Sequence, residues 1–332
     1  MTLDYIWWVF AAGVALLALG GEGVIRGGVA LKRGLGVSPV VIGLFVLSIG
    51  TSSPTLALAL QGAASGIPDL ALGVAIGATL INLLLVLGLG ALIRPMSSPP
   101  KVVLRDGGAV LLAAAALAVL GLVGRIGRDE GALLLAGFVF YAVVAVVTDW
   151  RRSADHSIAC AEAEKRSVGD APSVGGGLFV LLVGAICLLL GAHFLTGGML
   201  GLAAAWKLPV AVLASTLVAL AASLPVLIVT ALAAIRGHTQ LAIGHLITAS
   251  VFNILGVLGI AALVHPLTIA PPIAGLDVFV VLGACALLMP LLSTDWRLTR
   301  PKAVLLVLAY ISYVGYLAWR EGLLSPASLG LA

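Results

Sequence analysis

Two long runs without a single charged residue constrain this chain more than any other feature of its sequence. Residues 208–235 and 237–276 contain no Asp, Glu, Lys or Arg. About 20 consecutive apolar residues are enough for a helix to cross a bilayer, and both runs exceed that length. Charged residues make up only 10% of the chain, whereas soluble domains carry about 25%. We therefore expect a polytopic helical membrane protein, and the composition excludes a soluble enzyme.

The polar breaks between apolar runs divide the chain into ten predicted membrane helices. Their approximate bounds are 6–25, 39–63, 69–93, 107–124, 131–148, 175–203, 209–235, 240–264, 273–293 and 303–319. One long polar connection, residues 149–174, separates a first five-helix repeat, 1–148, from a second, 175–332. The sequence therefore predicts an all-α fold of ten transmembrane helices.

The basic residues between the predicted spans are distributed unevenly over the two sides of the membrane. Of the 18 Lys and Arg residues, 14 fall in connections on one side and only 4 on the other. The four are Arg125, Arg128, Lys207 and Arg320. Because the basic side of a membrane protein is normally cytoplasmic, we predict a cytoplasmic loop at 149–174 and external termini. The chain is then a multi-pass protein of the cell inner (plasma) membrane.

The net charge of +4 does not indicate a nucleic-acid partner, because no dense basic block with interleaved aromatic residues is present. Cys160, Cys187 and Cys285 are widely separated and lack the spacing of metal ligands. The expected surrounding of this apolar chain is the lipid bilayer, and the sequence indicates no cofactor.

The two halves of the chain resemble each other at a fixed offset. Residues 40–95 align with 211–266 at an offset of 171, with 19 identities in 56 positions and no gap. Small and polar residues recur in register, as Ser52/Ser223, Pro54/Pro225, Gly66/Gly237, Gly73/Gly244, Asn82/Asn253, Gly88/Gly259, Pro95/Pro266 and, beyond the window, Asp106/Asp277. Because each half has an odd number of spans, the second copy must be inverted. Inverted repeats with interrupted helices are typical of secondary transporters, whose substrate site lies where the copies meet.

Proline interrupts the second and seventh predicted spans at matching positions. Pro54 and Pro225 each lack an N–H and clash with the carbonyl four residues earlier, which frees backbone carbonyls near residues 50 and 221. In hydrocarbon such groups need a side chain, water or an ion as a partner. The hydroxyl-bearing residues around the breaks are Thr51, Ser52, Thr55 and Ser223. Oxygen-rich breaks at equivalent depth in two inverted halves predict a site for a hard cation.

The third and eighth spans supply further polar groups, above all Asn82 and Asn253. Each offers one carbonyl oxygen and two donors at a depth where polarity is costly. Thr79, His245 and Ser250 are candidate path residues on the same helices. Each residue also has an ordinary structural interpretation: an Asn can lock two helices, a hydroxyl can bond the carbonyl four residues back, and a histidine can be a packing residue.

At these residues the sequence resembles the sodium/calcium exchanger superfamily, the calcium/cation antiporters, in its bacterial ten-helix form. The family carries Gly-Thr-Ser-Leu-Pro-Glu and Gly-Asn-x-x-Gly-Ser-Asn-x-x-Asn in each repeat; here residues 50–55 read Gly-Thr-Ser-Ser-Pro-Thr and 221–226 read Ala-Ala-Ser-Leu-Pro-Val. Residues 73–82 and 244–253 occupy the second motif and end in Asn82 and Asn253. The resemblance implies two inverted repeats and sodium/calcium exchange, with Na and possibly Ca as transported substrates and no cofactor. The candidate metal ligands are Thr51, Ser52, Thr55, Asn82, Ser223 and Asn253.

The chain departs from the family pattern at the chemical centre. The family's two calcium-binding glutamates correspond to Thr55 and Val226, and the first Asn of the second motif corresponds to Val74 and His245. Burying a divalent ion requires compensating charge. The sequence therefore favours a cation antiporter of this superfamily with an altered ion preference.

Two other functions are open at this point. A transport-inactive paralogue acting as a membrane partner or regulator fits the loss of both glutamates. A membrane-embedded hydrolase using His245 with Ser250 or Ser223 is disfavoured, because no Gly-x-Ser-x-Gly elbow accompanies them. We expect a transporter and not an enzyme.

Overall fold

The structure, a computed structural model, describes residues 3–34, 47–97, 100, 103–150, 174–235, 237, 239–271 and 273–321. Helices occupy most of these residues and follow the predicted spans. In the first half, α1 is Leu3–Gly34, α2 is described over 47–51 and Ser53–Ala64, α3 is Pro68–Ile93, α4 is Val103–Val123 and α5 is Arg128–Trp150. In the second half, α6 is Val174–Trp206, α7 is Val210–Ala222 and Leu224–Ile235, α8 runs through Thr239–Val251, Phe252–Val257 and Leu258–Val264, α9 is Ile273–Asp277 and Val278–Ser293, and α10 is Arg300–Arg320.

Hydropathy locates these helices but underestimates the lengths of several of them. The first span is predicted at 6–25, whereas α1 continues to Gly34, because a helix can extend past the apolar run by which hydropathy recognises it. Among the described residues, seven helices are long and apolar enough to cross a membrane, or eight if the two parts of α7 are one span. The predicted span 39–63 begins outside the described residues, and the apolar helix Val278–Ser293 of α9 is shorter than a full crossing. Most of the predicted cytoplasmic loop 149–174 also lies outside the described residues.

The helix breaks occur where the prolines predict them. In α7 the parts on either side of Ser223 are bent by 49°, and α2 is interrupted at Ser52. The helical ladder resumes in the same way in both helices, because Leu56 donates to the Ser52 carbonyl at 3.0 Å and Leu227 donates to the Ser223 carbonyl at 3.0 Å. The two breaks therefore have matching backbone geometry.

The backbone repeats at the 171-residue offset well beyond the breaks. A π-helical turn at Ile81–Val86 in α3 corresponds to one at Phe252–Val257 in α8. The turns before these two helices contain Gly66 and Gly237, whose φ values of 68° and 86° lie in the left-handed region that favours glycine. The internal repeat found in the sequence is therefore also a repeat of local structure.

Among the described residues, four short strands show how the two halves are related in space. They are β1 (Met96–Ser97), β2 (Arg125–Ile126), β3 (Leu267–Thr268) and β4 (Arg297–Leu298). β1 pairs antiparallel with β4, and β2 pairs antiparallel with β3, so each pair joins the two halves. β1 and β2 lie at opposite ends of α4, which places the two pairs at opposite ends of the bundle. Each repeat therefore contributes one strand to each end, as an inverted repeat requires.

α1 and α6, the first helices of the two repeats, pack against each other along their length. A side chain at Gly20 would meet the backbone nitrogen of Leu188 at 2.7 Å, and one at Gly191 would meet that of Leu17 at 2.8 Å. Small residues let membrane helices approach this closely. The pair shares a buried cluster with α2, α3 and α7, and a second, larger cluster holds the remaining helices together.

Exposed tryptophans gather where α1 begins and where α6 and α10 end. Trp8 is 76% exposed and Trp319 is 67% exposed, and the rings of Trp7 and Trp206 lie 5.8 Å apart. Tryptophan is enriched at membrane–water interfaces because its ring is apolar and its N–H is polar. These helix ends therefore have the composition of a membrane boundary.

Candidate cation site

Two pairs of polar side chains, related by the 171-residue offset, are buried without partners. Ser52 and Ser223 form one pair and Asn82 and Asn253 the other, and all four are at most 2% exposed. Within the described part of the chain, neither the two hydroxyls nor any of the four amide atoms has a hydrogen-bond partner. Buried polar groups are normally hydrogen-bonded. Symmetry-related unsatisfied oxygens in the membrane region therefore indicate a place where something polar binds.

The elements that carry these residues meet across the two repeats. The second part of α2 contacts the π-helical turn Phe252–Val257, and the second part of α7 contacts the π-helical turn Ile81–Val86. Both breaks also lie beside α1, since a side chain at Gly21 would meet Pro225 at 3.4 Å and Pro54 at 3.5 Å. Single π-helical turns often occur at functional sites. The fold therefore brings the paired breaks and the paired Asn residues into the middle of the bundle.

His245 provides a direct contact between the repeats. Its Nδ1 lies 3.1 Å from the Ser48 hydroxyl and its Nε2 lies 3.4 Å from the Thr51 hydroxyl, and all three side chains are buried. The Ser48 hydroxyl also donates to the backbone carbonyl of His245 at 3.3 Å. The ring thus fastens α8 to the residues just before the break in α2.

The other predicted site residues are buried, and several follow the ordinary structural interpretation. Thr79 donates to the Ala75 carbonyl at 2.8 Å, and Ser250 donates to the Leu246 carbonyl at 2.8 Å. Thr51 donates to the Leu47 carbonyl at 2.9 Å, which leaves its oxygen lone pairs able to accept or ligate. Thr55 is 2% exposed. The structure therefore brings Thr51 and His245 into direct contact and gives Thr79 and Ser250 local partners.

The carbonyls freed by the two prolines are not equivalent. The Gly50 carbonyl accepts a 2.6 Å hydrogen bond from the Ser53 hydroxyl. In the second repeat the residue matching Ser53 is Leu224, which has no hydroxyl to donate to the Ala221 carbonyl. The break in the second repeat therefore lacks the hydroxyl that covers the Gly50 carbonyl in the first.

Carboxylates are nearly absent from the helices that carry the breaks and the Asn residues, and Glu22 of the neighbouring α1 is exposed and paired with Arg26. Between residues 34 and 93 the sole carboxylate is Asp69, in the first turn of α3, and residues 208–276 have none. Among the described residues, no group of three or more His, Cys, Asp or Glu side chains could hold a metal ion. The site therefore offers neutral oxygens and a histidine ring.

Sequence reasoning missed one group that contacts the predicted site and two pairs outside it. Ser48 is not among the predicted site residues, although it precedes Thr51 by about one helical turn and so lies on the same face of the helix. The pairs are Tyr141 with Asp106 and Tyr313 with Asp277. The offset between the two tyrosines is 172 and not 171, so an ungapped alignment does not match them.

Comparison with known proteins decides the family. Residues 5–147 and 176–319 match the model of the sodium/calcium exchanger protein family. The chain belongs to the sodium/calcium exchanger family. The resemblance seen in the sequence motifs is thereby confirmed, and the family is one of transporters that move inorganic cations within a membrane.

Three curated relatives match nearly the whole of this family member. CaxA of Alkalimonas amylolytica is 30% identical over 91% of this chain and 95% of its own length. The inner membrane protein YrbG of Escherichia coli is 29% identical over 94% of this chain and 96% of its own length. The sodium/calcium exchanger MaX1 of Methanosarcina acetivorans is 25% identical over 95% of this chain and 98% of its own length.

Solved structures of the sodium/calcium exchanger NCX_Mj have the same fold as this family member. One, soaked with Na+ and Sr2+, superposes with a TM-score of 0.66 at 27% identity and covers 95% of this chain and 99% of that one. Another, soaked with Na+ and Ca2+, has a TM-score of 0.66 at 28% identity and covers 94% and 98%. The predicted fold of ten transmembrane helices in two inverted repeats is therefore confirmed.

Proposed function

We propose that this exchanger moves a monovalent cation, sodium in the first instance, through its central site in preference to calcium. The observation that supports the proposal is the set of four unpartnered, symmetry-related side chains in a region without carboxylates. Ser52, Ser223, Asn82 and Asn253 would supply neutral oxygens to the ion. Thr51 and Thr55 lie on α2 next to them and would add hydroxyl oxygens.

Charge decides between the two kinds of ion. The cost of moving an ion from water into a low-dielectric site grows with the square of its charge, so a divalent ion costs about four times as much as a monovalent ion of equal radius. Oxygen dipoles can replace the hydration shell of a monovalent cation, as carbonyls do in channel filters. The positions of the family's two glutamates hold Thr55 and Val226, so nothing at the centre offsets a second positive charge.

Transport assays in proteoliposomes test this proposal. We expect sodium flux driven by an opposing cation gradient and calcium flux at least about tenfold weaker. Asn82→Ala and Asn253→Ala should each reduce sodium flux by about tenfold or more, because each removes a buried ligand. Thr230→Val is the matched control, since Thr230 is also buried and unpartnered but has Ala59 at the matching position. It should stay within about twofold of wild type.

Two results would count against the proposal. Calcium flux equal to sodium flux in the unchanged protein would refute the altered ion preference. Absence of flux with every cation gradient, in a well-folded protein, would favour the inactive paralogue that acts as a membrane partner or regulator.

The orientation in the membrane has its own test. We propose external termini and a cytoplasmic loop at 149–174, on the basis of the 14-to-4 distribution of basic residues. Cys160 in that loop should react with an impermeant thiol reagent only after the cytoplasmic face is opened. Reaction of Cys160 in intact cells, with a Cys160→Ser variant as the blank, would reverse the orientation.

A further inference from the structure

In the described part of each repeat, one aspartate is buried close to one end of the bundle. Asp106 lies at the start of α4 near the β1–β4 end and is fully buried, and Asp277 lies at the start of α9 near the β2–β3 end and is 2% exposed. Both lie in short π-helical turns, Val103–Gly107 and Ile273–Asp277. The two carboxylates therefore occupy equivalent positions in the inverted repeats.

A tyrosine accompanies each aspartate. Tyr141 of α5 interacts with Asp106, and Tyr313 of α10 donates to Oδ1 of Asp277 at 3.3 Å. Each tyrosine hydroxyl also approaches a hydroxyl on an inner helix. Tyr141 lies 3.1 Å from the hydroxyl of Thr248, and Tyr313 interacts with the hydroxyl of Ser215. The two polar clusters thus share an aspartate and a tyrosine, while their third hydroxyls come from α8 and α7, which are not counterparts in the repeat.

The clusters differ in their positive charge. Arg105 donates to both oxygens of Asp106, from Nε at 2.6 Å and from Nη2 at 3.0 Å. The residue in the matching position before Asp277 is Leu276, and both Arg105 and Leu276 are half-buried. Among the described residues, Asp277 has no ion-pair partner within 4 Å. One repeat therefore carries its own cation where the other carries none.

The charged groups that act on Asp277 from a distance, Arg320 and Glu321, make no ion pair with it within 4 Å. Arg320 is close enough to act on Asp277 through space, but its Nε donates to Glu321 at 2.9 Å. Glu321 opposes Arg320 at Asp277. A buried carboxylate is strongly disfavoured unless a cation or a proton neutralises it, so the second cluster has room in its charge balance for one positive charge.

We propose that Asp277, with the hydroxyl oxygens of Tyr313 and Ser215, forms an outer site for a monovalent hard cation. This proposal rests on the proposed function in one respect: the ion bound at Asp277 is the same ion that the central site then receives. A single carboxylate balances a single positive charge, and hydroxyl oxygens are ligands that sodium accepts. The cation takes the place that the Arg105 guanidinium occupies beside Asp106.

The outer site lies nearer the β2–β3 end than the central one does. Ser215 precedes Ser223 by eight residues on α7, which is about 12 Å along a helix. Ser215 is also in contact with α3, because its backbone carbonyl lies against Gly77. An ion held at Asp277 is therefore next to the two helices that carry Ser223 and Asn82.

A binding experiment isolates the outer site from the central one. In the Asn82→Ala/Asn253→Ala background, sodium chloride should raise the melting temperature of the purified protein by about 2–4 °C at tenfold its dissociation constant, relative to N-methyl-D-glucamine chloride. Asp277→Asn should abolish this rise. Leu276→Arg should abolish it too while leaving the protein folded, because the new guanidinium reproduces the Arg105–Asp106 pair. A rise that survives Asp277→Asn, or no rise in the background itself, would overturn the proposal.

A transport experiment then tests sidedness. In membrane vesicles of one orientation, Asp277→Asn should raise the half-saturating sodium concentration about tenfold and Tyr313→Phe about threefold, with no change in vesicles of the other orientation. Tyr141→Phe is the matched control and should leave both values unchanged, because Arg105 already neutralises Asp106. Equal effects of Asp277→Asn in both orientations, or none in either, would show a structural role only. If transport fails altogether but sodium still stabilises the double-alanine protein, the outer site stands and the proposed function does not.

Discussion

The two repeats contact each other at two equivalent places, and the side chains are polar at one of these places and apolar at the other. In the polar version His245 of the second repeat meets Ser48 and Thr51 of the first. The counterparts at the 171-residue offset are Val74, Ala219 and Ala222, which are all fully buried and carry no polar side-chain atom. Each version is internally consistent, because a buried imidazole needs partners and a buried valine needs none. The histidine is therefore found only at the place where the opposite repeat provides hydroxyl groups as hydrogen-bond partners.

The same comparison separates what symmetry fixes from what it leaves free. The breaks and the π-helical turns that carry the Asn residues match at the residue level in both repeats. Ser52/Ser223 and Asn82/Asn253 are retained in both, whereas Thr55/Val226, Gly77/Thr248 and Arg105/Leu276 differ. The symmetric backbone determines where a site can form. In the proposals made above, the asymmetric side chains set which ion the site accepts and from which end.

Restoring charge to both breaks should produce the largest change. The double substitution Thr55→Glu and Val226→Glu places two carboxylates at matching positions, and we expect calcium flux in liposomes to rise about 100-fold. Each single substitution should give less, because one charge compensates only part of a divalent ion. The assay belongs at mildly alkaline pH, where the introduced carboxyls release their protons more readily.

The matched control for this pair is Thr55→Gln with Val226→Gln. It adds similar volume and oxygen atoms without charge, so calcium flux should remain low. Strong calcium flux with the Gln pair would show that volume and not charge is limiting.

Much of this comparison could be predicted from the sequence. Hydropathy gave the spans, and the recurrence of Pro54/Pro225 and Asn82/Asn253 gave the repeat and its polar centre. These features are local or periodic, so they can be recognised without knowing which helices touch. The helix ends beyond the apolar runs were less accessible, as the extension of α1 to Gly34 shows.

The contacts between helices could not be predicted in this way. Ser48 and His245 are 197 residues apart, and no pattern in the sequence states that α2 and α8 meet there. Arg105 and Asp106 are adjacent in the sequence, but only the structure shows that the aspartate is buried and that Asp277 is buried without such a neighbour. Pairing and burial are properties of packing, which composition and spacing do not encode.

Gly77 and Thr248 occupy matching positions in the two repeats, and replacing each one by the residue found at the other should lower the stability by different amounts. A side chain at Gly77 would collide with the Ser215 carbonyl and meet the Cβ of Ala219 at 2.7 Å, and backbone atoms cannot easily move away. We expect Gly77→Thr to lower the free energy of unfolding by about 3 kcal/mol. Thr248→Gly should cost about 1–2 kcal/mol, from lost helix propensity and the lost contact with Tyr141.

Thermal unfolding in detergent measures both exchanges. Gly108→Thr is the control, because a side chain at Gly108 meets no atom within 4 Å. If Gly77→Thr were no worse than Gly108→Thr, the close approach of α3 and α7 would be wrong.

The smallest effects are expected where the polar contact is exchanged for its apolar counterpart. His245→Val removes the partners of Ser48 and Thr51 and should cost about 1 kcal/mol, since both hydroxyls keep a backbone acceptor. The same change should raise the half-saturating sodium concentration about threefold, because Thr51 loses its fixed position beside the site. His245→Asn keeps a donor and an acceptor and should stay closer to wild type in both measurements.

The reverse substitution, Val74→His, should lower the free energy of unfolding by about 2 kcal/mol without any gain in transport, because Ala219 and Ala222 cannot bond the new ring. Equal losses for His245→Val and His245→Asn would mean that the ring acts through its volume, and the comparison between the two contacts would then concern packing alone.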